Sequence, residues 1–480
     1  MPEETLKQKT ARGLFWGFVN NGSMQFLNLL FGIFLGRILS PEDYGMVGML
    51  TIFSLIAGSL QESGFIAALA NKKKVKHEEY NAVFWFSTSI SFCLYWILFF
   101  LAPLIADFYN EPKLIPLARY AFLGFFISSL GIIPSAYLFR TLQVRQRSIA
   151  TILALGLSGI VGVTLAFNGF SYWSLATQSL VYISILTLCV WNVCPWRPTL
   201  QWNFRPIREM LGFSSKLLLT NIFTHINNNL FSVILGRFYG EKEVGQFNQA
   251  NNWNYRGHSL ISGMVGGVAQ PLFAQINDEP ERQVRAFRKM LRFTAFISFP
   301  AMLGLSLIAP ELITIAITDK WLESAHILQI LAIGGTFIPI AGLYTNLLIS
   351  KGKSNVYLGN TVALGMLQLI LMLLLHPYGI YTMSCVYVCV NMLWLFVWHY
   401  FVYKEIRLNL WHVLKDIVPY ACIALFVIGF TYWITLKIEN IYLSIIVKTL
   451  LAASLYTLIT WLSGSATFKE CWGYLIKKKK

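Results

Sequence analysis

Charge is what this chain has least of. Only 12% of its 480 residues are charged, against 56% hydrophobic, where soluble domains carry about 25% charged residues. No long hydrophilic stretch interrupts the apolar ones, which leaves no material for a soluble domain or a water-exposed active site. Catalytic signatures are missing as well: there is no HExxH, no nucleotide-binding loop and no DxD. The seven cysteines (93, 189, 194, 385, 389, 422 and 471) form neither a CxxC pair nor a disulfide framework and read as apolar filler. These absences argue against an enzyme and lead to the expectation of no cofactor and no bound metal.

Apolar windows of about 20 residues, each enough to cross a ~30 Å hydrocarbon core as helix, recur along nearly the whole length. The first follows a charged segment with two glutamates and no small-residue cleavage site, so it is expected to remain as a span. Fourteen spans are predicted, near 13–37, 44–70, 82–106, 114–139, 147–167, 171–194, 211–238, 245–275, 288–312, 325–350, 355–376, 379–402, 415–436 and 441–462. Short connections favour antiparallel neighbours in a bundle. With the N-terminus in the cytoplasm, 28 of the 38 lysines and arginines fall on the inner side, in loops such as NKKKVKHEEY and NDEPERQVRAFRKMLR and in the terminal KKKK. An odd span count would break that alternation, so both termini are expected inside. The net charge of +16 then reflects topology and the anionic inner leaflet, not nucleic-acid binding.

An internal repeat organises the spans. Residues 28–45, NLLFGIFLGRILSPEDYG, align without a gap on 228–245, NNLFSVILGRFYGEKEVG. From 21 to 45 the offset of 200 keeps eight identities in 25 positions, among them Leu35-Gly36-Arg37 on Leu235-Gly236-Arg237 and Gly45 on Gly245. Six spans lie between the copies, so both have the same orientation: a parallel duplication. The expected fold is an all-α integral membrane protein with a lobe at 1–200, a second at 201–402, a central cavity, and two further spans with a basic cytoplasmic tail at 403–480.

Two six-helix lobes, two extra helices, the pattern LGRxLSPxDYGxxGM, then ESGFxxAL and a basic loop leading into NAVFWFS, resemble the MOP exporter superfamily. Within it the chain is similar to the polysaccharide-biosynthesis, Wzx-type flippases, nearest the WzxC-like branch. The resemblance covers the whole chain in organisation and is most specific over 35–86. It implies translocation of an undecaprenyl-pyrophosphate-linked oligosaccharide across a bacterial cytoplasmic membrane, for a surface polysaccharide, by alternating access. The implied partners are that lipid-linked glycan, membrane lipids and polysaccharide polymerase or assembly proteins, with the flippase itself a monomer.

Such a substrate needs cations for its head, polar groups for its sugars and an apolar path for its tail. Intramembrane charges are costly and usually face a cavity or a partner. In the stretch QFNQANNWNYRGH, Asn248, Asn252, Arg256 and Ser259 share one helical stripe, and Asn251, Tyr255, His258 and Ser262 the adjacent one. Arg256 is the leading phosphate contact, since a guanidinium forks onto two oxygens. Asn221, Asn227, Asn228 and Asn229 extend this chemistry onto the preceding span, which also carries His225. Lys216 reads equally as lumen-facing or as snorkelling to the interface, and Lys448 as snorkelling. Arg37, Arg237 and Arg119 lie at outer ends, where cavity and lipid-phosphate readings both stand. Gln61 and Glu62 are candidates for ion coupling. A MATE-like cation-coupled drug exporter or a lipid II flippase is the alternative within transport. A drug exporter would want more membrane carboxylates than the one at Glu62. A membrane glycan polymerase or ligase would want a larger external loop than any here.

Overall fold

With no water in the bilayer core, a backbone must satisfy its own hydrogen bonds, and helix is the solution for a single span. The computed structural model follows that rule: its regular structure among the described residues is entirely helical. It describes residues 6–62, 65, 69, 72, 74–201, 203–465, 467–470 and 473, with the side chains of 6–15, 17–18 and 209–217 outside that set. Fifteen α-helices are labelled here: α1 (Leu6–Ile38), α2 (Pro41–Glu62), α3 (His77–Tyr109), α4 (Leu114–Arg140), α5 (Val144–Phe167), α6 (Tyr172–Val193), α7 (Arg205–Phe238), α8 (Glu241–Gln275), α9 (Pro280–Ile317), α10 (Leu322–Gly335), α11 (Ile338–Ser350), α12 (Ser354–Leu375), α13 (Ile380–Ile406), α14 (Leu410–Thr435) and α15 (Ile441–Leu462). Eleven helical segments among the described residues are long and apolar enough to cross a membrane, which makes this a multi-pass membrane protein. The other long helices, α1, α7 and α8, are not among the eleven; α7 carries Asn221, His225 and Asn227–Asn229, and α8 the amides of 246–254.

The chain forms two compact units, 1–245 and 246–480. In the first, α3 packs on α4, α5 on α1 and α6, α4 on α6, and α7 on α2 and α3. Small residues bring these helices close. A Cβ on Gly131 would touch Thr187 at 3.0 Å, and one on Gly159 would overlap the Phe31 ring. The NAVFWFS segment ties the start of α3 to the stretch that follows α6. Asn81 donates to the Gln201 carbonyl (2.7 Å) and accepts from the Thr199 amide (2.9 Å), and Trp85 Nε1 donates to the Thr199 carbonyl (2.7 Å). Beneath it, Phe65, Tyr80, Phe84, Ile133 and Trp196 form one buried cluster. Cys194 is buried in the same cluster.

The second unit is built on α9, which packs on α10, α11, α14 and α15. The single span expected at 325–350 is two helices: the first ends at Gly335 and the second starts at Ile338 with Pro339 in its first turn, where the missing N–H costs nothing. Two membrane carboxylates beyond Glu62 are present, correcting the expectation of a single one, and each is paired. Asp416 on α14 accepts from Arg288 (2.7 and 3.1 Å) and Arg292 (3.2 Å). Glu311 on α9 pairs with Lys448 and accepts from Ser444 (2.9 Å). Lys448, read from the sequence as snorkelling, is 8% exposed and belongs to this buried pair.

Candidate functional site

In the first unit α2, α4, α6 and α7 line an open cavity of about 450 Å³ whose wall mixes apolar and polar side chains. Serines supply much of it: Ser54 and Ser59 from α2, Ser128 and Ser135 from α4. Tyr182 and Thr187 come from α6, and Asn221 and His225 from α7. The C-terminal turn of α2 adds Gln61 and Glu62. Four residues singled out in the sequence, Gln61, Glu62, Asn221 and His225, thus line one space. Gln61 is 2% exposed and its Nε2 finds no acceptor among the described residues. A buried donor without a protein partner is where an acceptor on a bound group would be satisfied. The serines escaped the sequence reading because hydroxyls are common in spans and usually bond their own helix, as Ser54 does to the Leu50 carbonyl (3.1 Å).

In the second unit, α8 divides its polar residues between two faces. Asn252 and Tyr255 are exposed, with Asn248, Asn251, Arg256 and Ser259 half-buried. The Arg256 guanidinium lies over the Trp253 ring, 5.1 Å from its centroid. The same open face continues as Leu260, Gly263, Met264 and Val268. His258, expected on the wet stripe, is on the packed side instead: it is buried and meets Tyr255 edge-on at 5.5 Å. Gln246, Gln249 and Asn254 are buried with it. Gln246 ties α8 to the start of α10, donating to the Lys320 carbonyl (3.0 Å) and accepting from the Ser324 amide (2.9 Å). Part of the amide richness is therefore interhelical bonding.

Of the three arginines expected at outer ends, Arg119 and Arg237 contact protein. Arg119 stacks on Phe99 at 4.3 Å and donates to its carbonyl (3.3 Å). Arg237 donates to the Phe108 carbonyl (2.5 Å) at the C-terminal end of α3, where a cation is favoured by the helix dipole. Arg37 is exposed in the last turn of α1. The side chain of Lys216, on α7, lies outside the described residues. Also in the second unit, α9, α14 and α15, with Gly257 of α8, line a largely apolar groove of about 510 Å³, with Lys448, Thr449, Tyr456 and Thr457 as its polar members. No cluster of metal-ligating side chains occurs among the described residues.

The chain is 25% identical over 359 residues to the Lipopolysaccharide biosynthesis protein WzxC of Escherichia coli (strain K12), covering 73% of this chain and 72% of that one. It is 24% identical over 344 residues to the Succinoglycan biosynthesis transport protein ExoT of Rhizobium meliloti (strain 1021), covering 70% and 69%. Its fold is similar to that of a lipid II flippase, MurJ, in an inward closed conformation, with a TM-score of 0.73 at 14% identity over 93% of this chain and 99% of that one. The family described as Polysaccharide biosynthesis protein matches residues 34–326, more than half the length, and the chain belongs to that family.

Proposed function

We propose that this protein is a flippase for an undecaprenyl-pyrophosphate-linked oligosaccharide, working by alternating access in a bacterial cytoplasmic membrane with both termini inside. The observation that carries the reading is the cavity of the first unit, whose apolar wall is interrupted by hydroxyls, two amides and an imidazole. Hydroxyls, amides and an imidazole suit a sugar, which offers donors and acceptors in every direction. Membership of the family and the names of the relatives support the same substrate class. Arg256, with Asn248, Asn251 and Asn252 beside it, is assigned to the pyrophosphate, and the apolar groove of the second unit suits the prenyl tail. Glu62 and Gln61 are assigned to ion coupling.

In this reading α1, α7 and α8 also cross the membrane, making fourteen spans in two repeated lobes, 1–200 and 201–402, with 403–480 appended. Their polar residues are shared between a wet interior and interhelical contacts, and so keep them from resembling lipid-facing helices. A drug exporter is disfavoured because Glu311 and Asp416 are spent on Lys448, Arg288 and Arg292, which leaves Glu62 to hold a cation. Deleting the gene tests the proposal. Lipid-linked oligosaccharide should accumulate on the inner leaflet while the surface glycan disappears. Normal surface glycan with new drug sensitivity would replace this reading with the exporter.

A further inference from the structure

The 200-residue repeat meets itself at one point of the first unit. There the first turn of α2 crosses the first turn of α8, backbone against backbone. A Cβ on Gly45 would overlap the carbonyl group of Glu241, and a Cβ on Gly245 would overlap the carbonyl group of Pro41 and stand 3.1 Å from the Gly45 nitrogen. The contact is reciprocal under the repeat. Gly45 corresponds to Gly245 and Pro41 to Glu241, so each copy's glycine sits on the carbonyl four residues before the other's.

Helices bearing ordinary side chains keep about 8–10 Å between their axes. Only where both contact residues lack Cβ can main chains approach to Cα–H···O distance. Alanine on either side would hold the two turns apart. The neighbouring contacts are similar in kind: a Cβ on Gly236 would come within 2.6 Å of the Tyr109 ring and 3.3 Å of Met49, and Arg237 holds the last turn of α3. All of these lie at the end that the lysine and arginine distribution assigns to the outside. Such a crossing excludes water by shape while making little adhesive contact, so it closes tightly and parts without extracting any buried side chain.

We propose that Gly45 and Gly245 form an outer gate, a paired-glycine crossing that seals this end of the bundle and opens when α2 and the start of α8 separate. The proposal rests on the flippase reading only for the need to open outward, and its test reads conformation without cargo. In a variant freed of native cysteines, Ser135→Cys in the cavity reports access to a membrane-impermeant maleimide, added to intact cells or to inverted vesicles. Gly45→Ala and Gly245→Ala should each raise labelling from outside by about tenfold and lower it from inside. The two together should add little, because either alanine already breaks the one crossing. Gly156→Ala, on α5 and with nothing within 4 Å of its Cβ, should leave both unchanged. Inserted alanine variants that label as the parent does would overturn the gate. If they fail to insert, Glu42→Cys and Lys242→Cys, beside the crossing, are bridged with a cleavable bifunctional thiol reagent. The bridged protein should keep inside labelling and lose outside labelling until cleaved. Persistent outside labelling would overturn the proposal equally.

Discussion

Arg256 stands on the open face of α8 with its guanidinium over Trp253 and three asparagines close in sequence, and this arrangement makes two substitutions informative. Arg256→Ala should leave insertion intact and lower transport by about 10–100-fold, the usual worth of a hydrogen bond to a charged group. Arg256→Lys keeps the charge but loses the fork and the stacking, and should recover only part of it. Inner-leaflet accumulation of the lipid-linked sugar in a deletion strain measures both, and an alanine variant with full transport would remove Arg256 from the site. Glu62→Gln addresses coupling. The variant should insert normally and lose any dependence of transport on pH or sodium, and a dependence kept unchanged would exclude Glu62. His258 bears on how far single residues could be read from the chain. A stripe at helical spacing identifies neighbours, yet it does not say which side of the helix another helix will cover. Asn252 is exposed and Arg256 half-buried, while His258 is buried about 160° around the helix from Arg256.

At the scale of elements, most helices lie where hydropathy put them, because a span must be apolar and about 20 residues long whatever it packs against. What escaped is pairing between distant segments. Glu311 and Lys448 are 137 residues apart in sequence, and only the packing of α15 on α9 joins them. The same distance in sequence hid the assembly of Gln61, Glu62, Asn221 and His225 around one cavity, although each had drawn notice singly. The pair makes a sharp energetic prediction. Lys448→Ala strands the Glu311 carboxylate in a buried place and should destabilise the second unit by about 3–5 kcal/mol. The double variant Lys448→Met, Glu311→Leu removes both charges and should recover most of that loss, as paired charges replaced by apolar groups often do. Thermal unfolding in detergent distinguishes the outcomes: a double variant no more stable than Lys448→Ala would mean the pair holds α15 in place by more than mutual neutralisation.

For the whole molecule, with α1 taken as a span, the count turns on whether α7 and α8 cross the membrane, since neither is among the eleven segments long and apolar enough to do so. Parity decides it. If both cross, Lys242 between them lies outside, and the connections at Leu142 and Gly352 lie inside while those at Asn168 and Tyr378 lie outside. If neither crosses, Lys242 moves inside while the later positions stay. If only one crosses, Gly352 and Tyr378 exchange sides. Single cysteines at these five positions, probed on intact cells with an impermeant maleimide, should label at 168, 242 and 378 and remain silent at 142 and 352. The expectation has a physical basis beyond counting charges. Two amide-rich helices of 34 and 35 residues cannot face lipid on all sides, because unsolvated amides in hydrocarbon cost several kcal/mol each. They are stable across a bilayer only with that polar surface turned to a wet cavity or to partners. Gln246 has such partners in Lys320 and Ser324, and Asn221 and His225 have such a cavity. Silence at 242 would therefore remove more than a span count: it would leave the polar wall without a membrane to interrupt, and the flippase reading with it.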